Sequence, residues 1–221
     1  MNSPRNIGVK FRDRSDAGDA LSEKLVSEGL GSQVIVLGIP RGGVILADIV
    51  AKRLESEFDI VIPRKLGAPH NEELAVGAVM QDGTSYLNTY LVNALRLSQE
   101  YIEMEKARQI SEIARRAATY RKNGTPYRIE GKKAILVDDG IATGATVIAS
   151  ARWVRKQNPS LLLVAVPVAP TQSVEMLEEE ADRVIAVHKS RDFGAVGQFY
   201  EHFDPVSDDQ VQAIMRARGK L

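Results

Sequence analysis

Apolar positions fall into two alternating patterns along this chain, and the alternation predicts its architecture. Short, nearly continuous apolar runs at Val34–Leu37, Phe58–Ile62, Ala134–Val137, Leu161–Val166 and Val184–Val187 suit strands covered on both faces. Between them the period changes to that of helices. One starts at Ser15 or Asp16 as cap, runs through Ala20, Leu21 and Leu25, and is broken by Gly29–Ser32. Val44–Leu54 places Val44, Ala47, Val50 and Ala51 on one face, and Val147–Lys156 and Thr171–Glu180 read likewise. Ser207 caps a closing helix that contains Val211 and Ile214. Arg64–Asn71 reads as a loop, and Leu74–Met80, the turn Asp82-Gly83 and Thr84–Leu87 as a hairpin. One long helix is expected over about Leu91–Arg121. Its Ala107, Ile110, Ala114, Ala117 and Tyr120 share a face, with glutamates early and arginines late as the helix dipole favours. The sum is an α/β fold: a mainly parallel sheet with helices on both faces, which binds ligands beyond the carboxyl ends of its strands.

Composition narrows the class. At 221 residues the chain is expected to be one domain, residues 1–221, with a sizeable core. Twenty-nine basic and 29 acidic side chains balance, so no nucleic-acid or membrane partner is expected. The absence of cysteine rules out disulfides and thiolate chemistry. The first residues, MNSPRNIGVKFRDRSD, are polar, and no apolar run approaches membrane-spanning length, so a cytoplasmic protein is expected. Asn123-Gly124-Thr125 fits a glycosylation sequon but reads as a turn.

The most informative stretch is AILVDDGIATGAT, Ala134–Thr146. A buried strand ends in two carboxylates, Asp138 and Asp139, and a run of small residues then opens a helix. A small-residue turn at a helix start gathers free N–H groups and the positive dipole end, which suits an anion. Two carboxylates beside such a cradle fit a ligand with hydroxyls at one end and a phosphate at the other. A ribose 5-phosphate has that layout. Ile39-Pro40-Arg41-Gly42-Gly43 likewise opens a helix after a strand, with glycines for close approach and Arg41 for charge.

These residues resemble the signature of the type I phosphoribosyltransferases, which bind 5-phosphoribosyl-1-pyrophosphate (PRPP). The resemblance implies that Asp138 and Asp139 hold the ribose hydroxyls and that Ala142, Thr143, Gly144, Ala145 and Thr146 wrap the 5-phosphate. Pro40, Arg41, Gly42 and Gly43 resemble the family's pyrophosphate loop, where a cis peptide is common. Arg64 and Lys65 stand where adenine and orotate enzymes carry an Arg-Lys pair that meets the phosphates, followed by a mobile lid. With Asp138 and Asp139 they complete the expected catalytic set. Phe193, Phe199 and Tyr200 fall where the family's hood holds the base, so a hood is expected over about 189–221 and a lid, hairpin and helical insertion over about 64–123. The resemblance further implies Mg²⁺, held near Asp138 and Asp139 through ribose hydroxyls or water with no direct protein ligand, and a homodimer. It implies a role in nucleotide metabolism, transferring the phosphoribosyl group to a nitrogen acceptor. Ala142 stands where hypoxanthine-guanine enzymes place an acid, and Leu161–Val166 carries no lysine, so an acceptor other than a 6-oxopurine is expected. A non-catalytic PRPP sensor on the same fold is the alternative. A dinucleotide-binding oxidoreductase is disfavoured because no GxGxxG follows a strand.

Overall fold

A computed structural model describes residues 10–122 and 128–221. Residues 1–9 and the turn expected at Asn123-Gly124-Thr125 lie outside the described residues. Strands β1 (Val34–Gly38), β2 (Glu57–Ile60), β6 (Lys133–Val137), β7 (Leu161–Pro170) and β8 (Arg183–Ser190) form a parallel sheet of order β2-β1-β6-β7-β8. All five apolar runs of the sequence are in it. Alternate residues serve opposite faces, as the pleat requires. Val36, Ile135, Val137, Leu163 and Ala165 join one core with α1 (Arg14–Ser27) and α2 (Gly42–Arg53). Ile35, Leu37, Leu136, Leu162 and Val164 join a second with α5 (Ala145–Lys156), where Trp153 is buried, and α6 (Thr171–Glu178). Chain order reverses direction between β1 and β6, so the loops leaving those two strands flank the sheet's switch point.

Arg64–Asn71, expected as a loop, is instead largely strand. β3 (Arg64–Ala68) pairs with β4 (Asn71–Val79), which pairs with β5 (Ser85–Leu87), in a separate antiparallel sheet. The register slips on either side of Gly67, and RKLGA has no alternation for a period-2 reading to detect. The expected long helix is two: α3 (Thr89–Ala94), capped by Asn88, and α4 (Gln99–Tyr120), capped by Ser98. Arg96, at φ 51°, turns the chain between them. Ile113, Ala117 and Tyr120 of α4 join the first core together with Val211 and Met215 of α7 (Asp208–Ala217). The C-terminal end of α4 is anchored where Arg121 donates to Asp59 Oδ1 at 2.8 Å and to the Ile60 carbonyl. The cap of α1 is Asp13 rather than Ser15 or Asp16: its carboxylate accepts from both of those backbone N–H groups. No helix among the described residues is long and apolar enough to cross a membrane.

Candidate functional site

Both expected anion loops leave the carboxyl ends of neighbouring strands. β1 delivers Pro40, Arg41, Gly42 and Gly43, and β6 delivers Asp138 and Asp139. The Pro40-Arg41 peptide is cis. α2 and α5 begin without a side-chain cap, as does α6 behind Pro170, whereas α1, α3, α4 and α7 are capped by Asp13, Asn88, Ser98 and Ser207. Leading N–H groups of uncapped helices stay available to a ligand.

The two loops nearly touch. A Cβ on Gly42 would overlap the Asp139 carboxylate, and one on Gly43 would lie 2.7 Å from the Val137 carbonyl oxygen and 2.8 Å from Asp138 Cα. The glycines are therefore required by packing between loops. Gly144 is needed for another reason. It caps α5 at φ 79°, a left-handed conformation that side chains resist, although the space around it is open.

Between the loops lies a cavity of about 490 Å³. Its lining includes Pro40, Arg41, Gly42, Arg64, Lys65, Asp138, Asp139 and Thr146, drawn from three of the expected site groups. Burial and the adjacent Asp139 charge push the Asp138 carboxyl well above the ordinary range. Burial raises Asp139 too, opposed by Arg14, whose Nε donates to Asp139 Oδ2 at 2.8 Å. Asp139 N–H donates to Asp138 Oδ1 at 2.9 Å, and the Tyr200 hydroxyl donates to the Asp139 carbonyl at 2.6 Å.

Sequence reasoning missed Arg14. It is brought to the rim because residues 11–12 pair with the tail: Phe11 N–H donates to the Phe199 carbonyl and Glu201 N–H to that of Phe11, each at 2.8 Å. Arg14 stacks 4.0 Å over the Phe203 ring and donates to the Asp204 carbonyl at 2.7 Å. Nothing local in the sequence marks it. Asp208, at the first turn of α7, was missed as well. It lies 3.7 Å from Arg41 and accepts from the Tyr120 hydroxyl, which burial and that bond push up to about 12.

α4 forms a wall of the same cavity through Glu105, Arg108, Gln109 and Arg116. Arg64 donates from Nε to Gln109 Oε1 at 2.9 Å, and the Tyr101 hydroxyl donates to the Gly67 carbonyl at 2.8 Å. Arg108 bridges Glu105 and Glu72. The segment expected to be a lid is thus tied to α4 along its length.

The aromatic tail divides. Phe199 and Tyr200 are buried, packed against Phe193 and His188 and against Phe11 and Phe203 respectively, so neither offers an open face to a base. Phe193 is half-buried and lines a second cavity of about 650 Å³ beside Ala142 and Thr143, with Asn88, Gln172 and Arg191 among its polar groups. The loop expected to bind the 5-phosphate stands between the two cavities: Ala142 and Thr143 border one, Thr146 the other. Leu161–Val166 lies inside β7, short of the rim. β7 brings Pro170 to the second cavity and α6 brings Thr171, Gln172, Ser173, Glu175 and Met176, and the Ser173 hydroxyl donates to the Ala142 carbonyl at 2.8 Å.

With this geometry in view, comparison with known proteins identifies the lineage. A family profile described as the phosphoribosyl transferase domain matches residues 12–203. The chain belongs to that family. A Mycobacterium tuberculosis (strain ATCC 25618 / H37Rv) protein, Rv0571c, whose name provisionally assigns it to the phosphoribosyl transferases, is 39% identical over 205 residues. That match covers 93% of this chain and 46% of the relative, so the chain spans about half the length of the curated relatives it matches. The crystal structure of TT1426 from Thermus thermophilus superposes with a TM-score of 0.75 at 42% identity, covering 94% of this chain and 98% of that one. AQ2163 from Aquifex aeolicus, at 12% identity and a TM-score of 0.50, shares the fold over 83% of this chain and 76% of its own. The expected parallel sheet with flanking helices is the fold of this family member; the small antiparallel sheet beside it comes from residues 64–87.

Proposed function

We propose that this domain transfers the phosphoribosyl group of PRPP to a nitrogen acceptor and releases pyrophosphate. The observation that carries the reading is the pair Asp138–Asp139 set between two uncapped helix starts at the sheet's switch point. Ala142–Thr146 binds the 5-phosphate through N–H groups and hydroxyls. Asp138 and Asp139 accept from the ribose hydroxyls. As the bond from C1 to pyrophosphate breaks, positive charge grows on the sugar, and the two carboxylates oppose it. Arg41, Arg64 and Lys65 offset the charge left on pyrophosphate, and the acceptor nitrogen closes on C1 from the side of the second cavity, over Phe193.

The donor set also fits Mg²⁺. Two adjacent carboxylates supply the hard oxygens that such an ion prefers. Asp138 and Asp139 would hold it through water or ribose hydroxyls. When bound, Mg²⁺ would supply electrostatic neutralisation of the pyrophosphate.

The test is PRPP-dependent pyrophosphate release by purified protein with Mg²⁺, across a panel of bases and amines. Release with one acceptor class is expected. Tight PRPP binding with no release across the panel would instead support a non-catalytic sensor.

A further inference from the structure

α4 presents residues 105, 109 and 116 to the anion cavity, a spacing that keeps them on one helical face. Arg116 differs from its neighbours there. Arg108 is held in a fork by Glu105, at 2.8 and 3.0 Å, and also donates to Glu72 at 2.9 Å. Arg116 makes one bond, from Nε to Glu112 Oε1 at 2.9 Å. Glu112 is shared: Arg115 grips it through two bonds, at 2.7 and 2.9 Å. The Arg115–Glu112–Arg116 group therefore carries a net positive charge. Among the described residues the terminal nitrogens of Arg116 have no hydrogen-bond partner, and the side chain is only 19% exposed.

Arg64 sits on the same wall in a similar state. Its hydrogen-bond partner is the neutral amide of Gln109, with no carboxylate paired to it among the described residues. Burial and the charge of Arg116 lower its affinity for a proton, and Glu112 and Glu105 offset this only in part. Two incompletely compensated guanidinium groups on one cavity wall repel each other, and a multiply charged anion relieves that repulsion through charge-assisted bonds. Arg41 and Lys65 line the same cavity.

We propose that Arg116, on the α4 insertion, binds the pyrophosphate of PRPP alongside Arg64. The assignment rests on the phosphoribosyltransferase reading above. It gives α4 a part in substrate binding besides packing: the helix carries a cation to the leaving group from outside the strand-end loops.

Calorimetric titration of the protein with Mg²⁺ and either pyrophosphate or ribose 5-phosphate tests it. Arg116→Gln is expected to weaken pyrophosphate binding by about tenfold to a hundredfold, the loss typical of a charged hydrogen bond. Ribose 5-phosphate affinity should stay within about twofold, which also shows that the variant is folded. Arg116→Lys, keeping charge without the fork, should fall between. Glu112→Gln removes the partner of Arg116 and should leave pyrophosphate affinity equal or tighter, whereas a merely structural ion pair would make it fall with Arg116→Gln. A pyrophosphate loss below about fivefold, equal loss of both ligands, or equal loss in Glu112→Gln overturns the assignment. If wild type binds pyrophosphate and PRPP and Arg116→Gln does so equally, this assignment alone falls. If wild type binds neither PRPP nor ribose 5-phosphate, the underlying reading falls with it.

Discussion

At residue scale, the two carboxylates cost stability at the place where the proposed function needs their charge. Asp138 has a raised pKa because it is buried beside Asp139, so over the pH range from the ordinary carboxylate value up to its native one, the folded state holds a proton that the unfolded state has released. Stability from this group therefore declines as pH rises through that window. Asp138→Asn is expected to remove the decline, so that the difference in unfolding free energy between variant and wild type grows in the variant's favour with pH. PRPP affinity should drop by about tenfold to a hundredfold. Denaturant titrations across pH, paired with PRPP titrations, check both, and a variant less stable than wild type at neutral pH would contradict the account. Gly42 limits the site sterically. Gly42→Ala puts a methyl group into the Asp139 carboxylate and against Arg14, so we expect loss of PRPP binding together with destabilisation of about 1–3 kcal/mol. An alanine variant with wild-type affinity would show that the loops can separate without cost.

Among elements, the starts of α2 and α5 matter most. Gly144 occupies the cap of α5 in the left-handed region, where a side chain costs about 1–2 kcal/mol and a β-branched one more. Gly144→Val is expected to tilt the first turn of α5 and abolish ribose 5-phosphate binding, with a fall in Tm. Near-native calorimetric binding would place the phosphate elsewhere. The element hardest to read from the sequence is β3. Arg64 and Lys65 stand out there as site residues, but a register slip at Gly67 hides the strand itself. The break between α3 and α4 has a visible signal, Ser98 as a cap, which the continuous helical period on either side masks.

At the scale of the molecule, the acceptor is expected to enter from the second cavity, past Phe193. Ala142 carries no acid, and the polar groups that β7 and α6 bring to that cavity, Thr171, Gln172, Ser173 and Glu175, include no lysine. A 6-oxo ring would meet Asn88, Gln172 and Arg191 there in place of the lysine and acid that the hypoxanthine-guanine enzymes carry, and polar groups left imperfectly matched are penalised. Hypoxanthine, guanine and xanthine should thus be poor acceptors, and steady-state assays giving kcat/KM above about 10⁴ M⁻¹s⁻¹ for any of them would refute this. The sequence by itself determined the parallel sheet, the two small-residue loops that open α2 and α5, and the two carboxylates between them. Those features are local: strand hydrophobicity, small turn residues and helix starts are written within a few positions of one another. Only the tertiary structure decided that Arg14 pairs with Asp139, that Asp208 meets Arg41, and that α4 walls the cavity between the two loops. These partners lie far apart in the chain, and their meeting depends on how the tail pairs with residues 11–12 and on how α4 and α7 dock on the sheet, which no local pattern encodes.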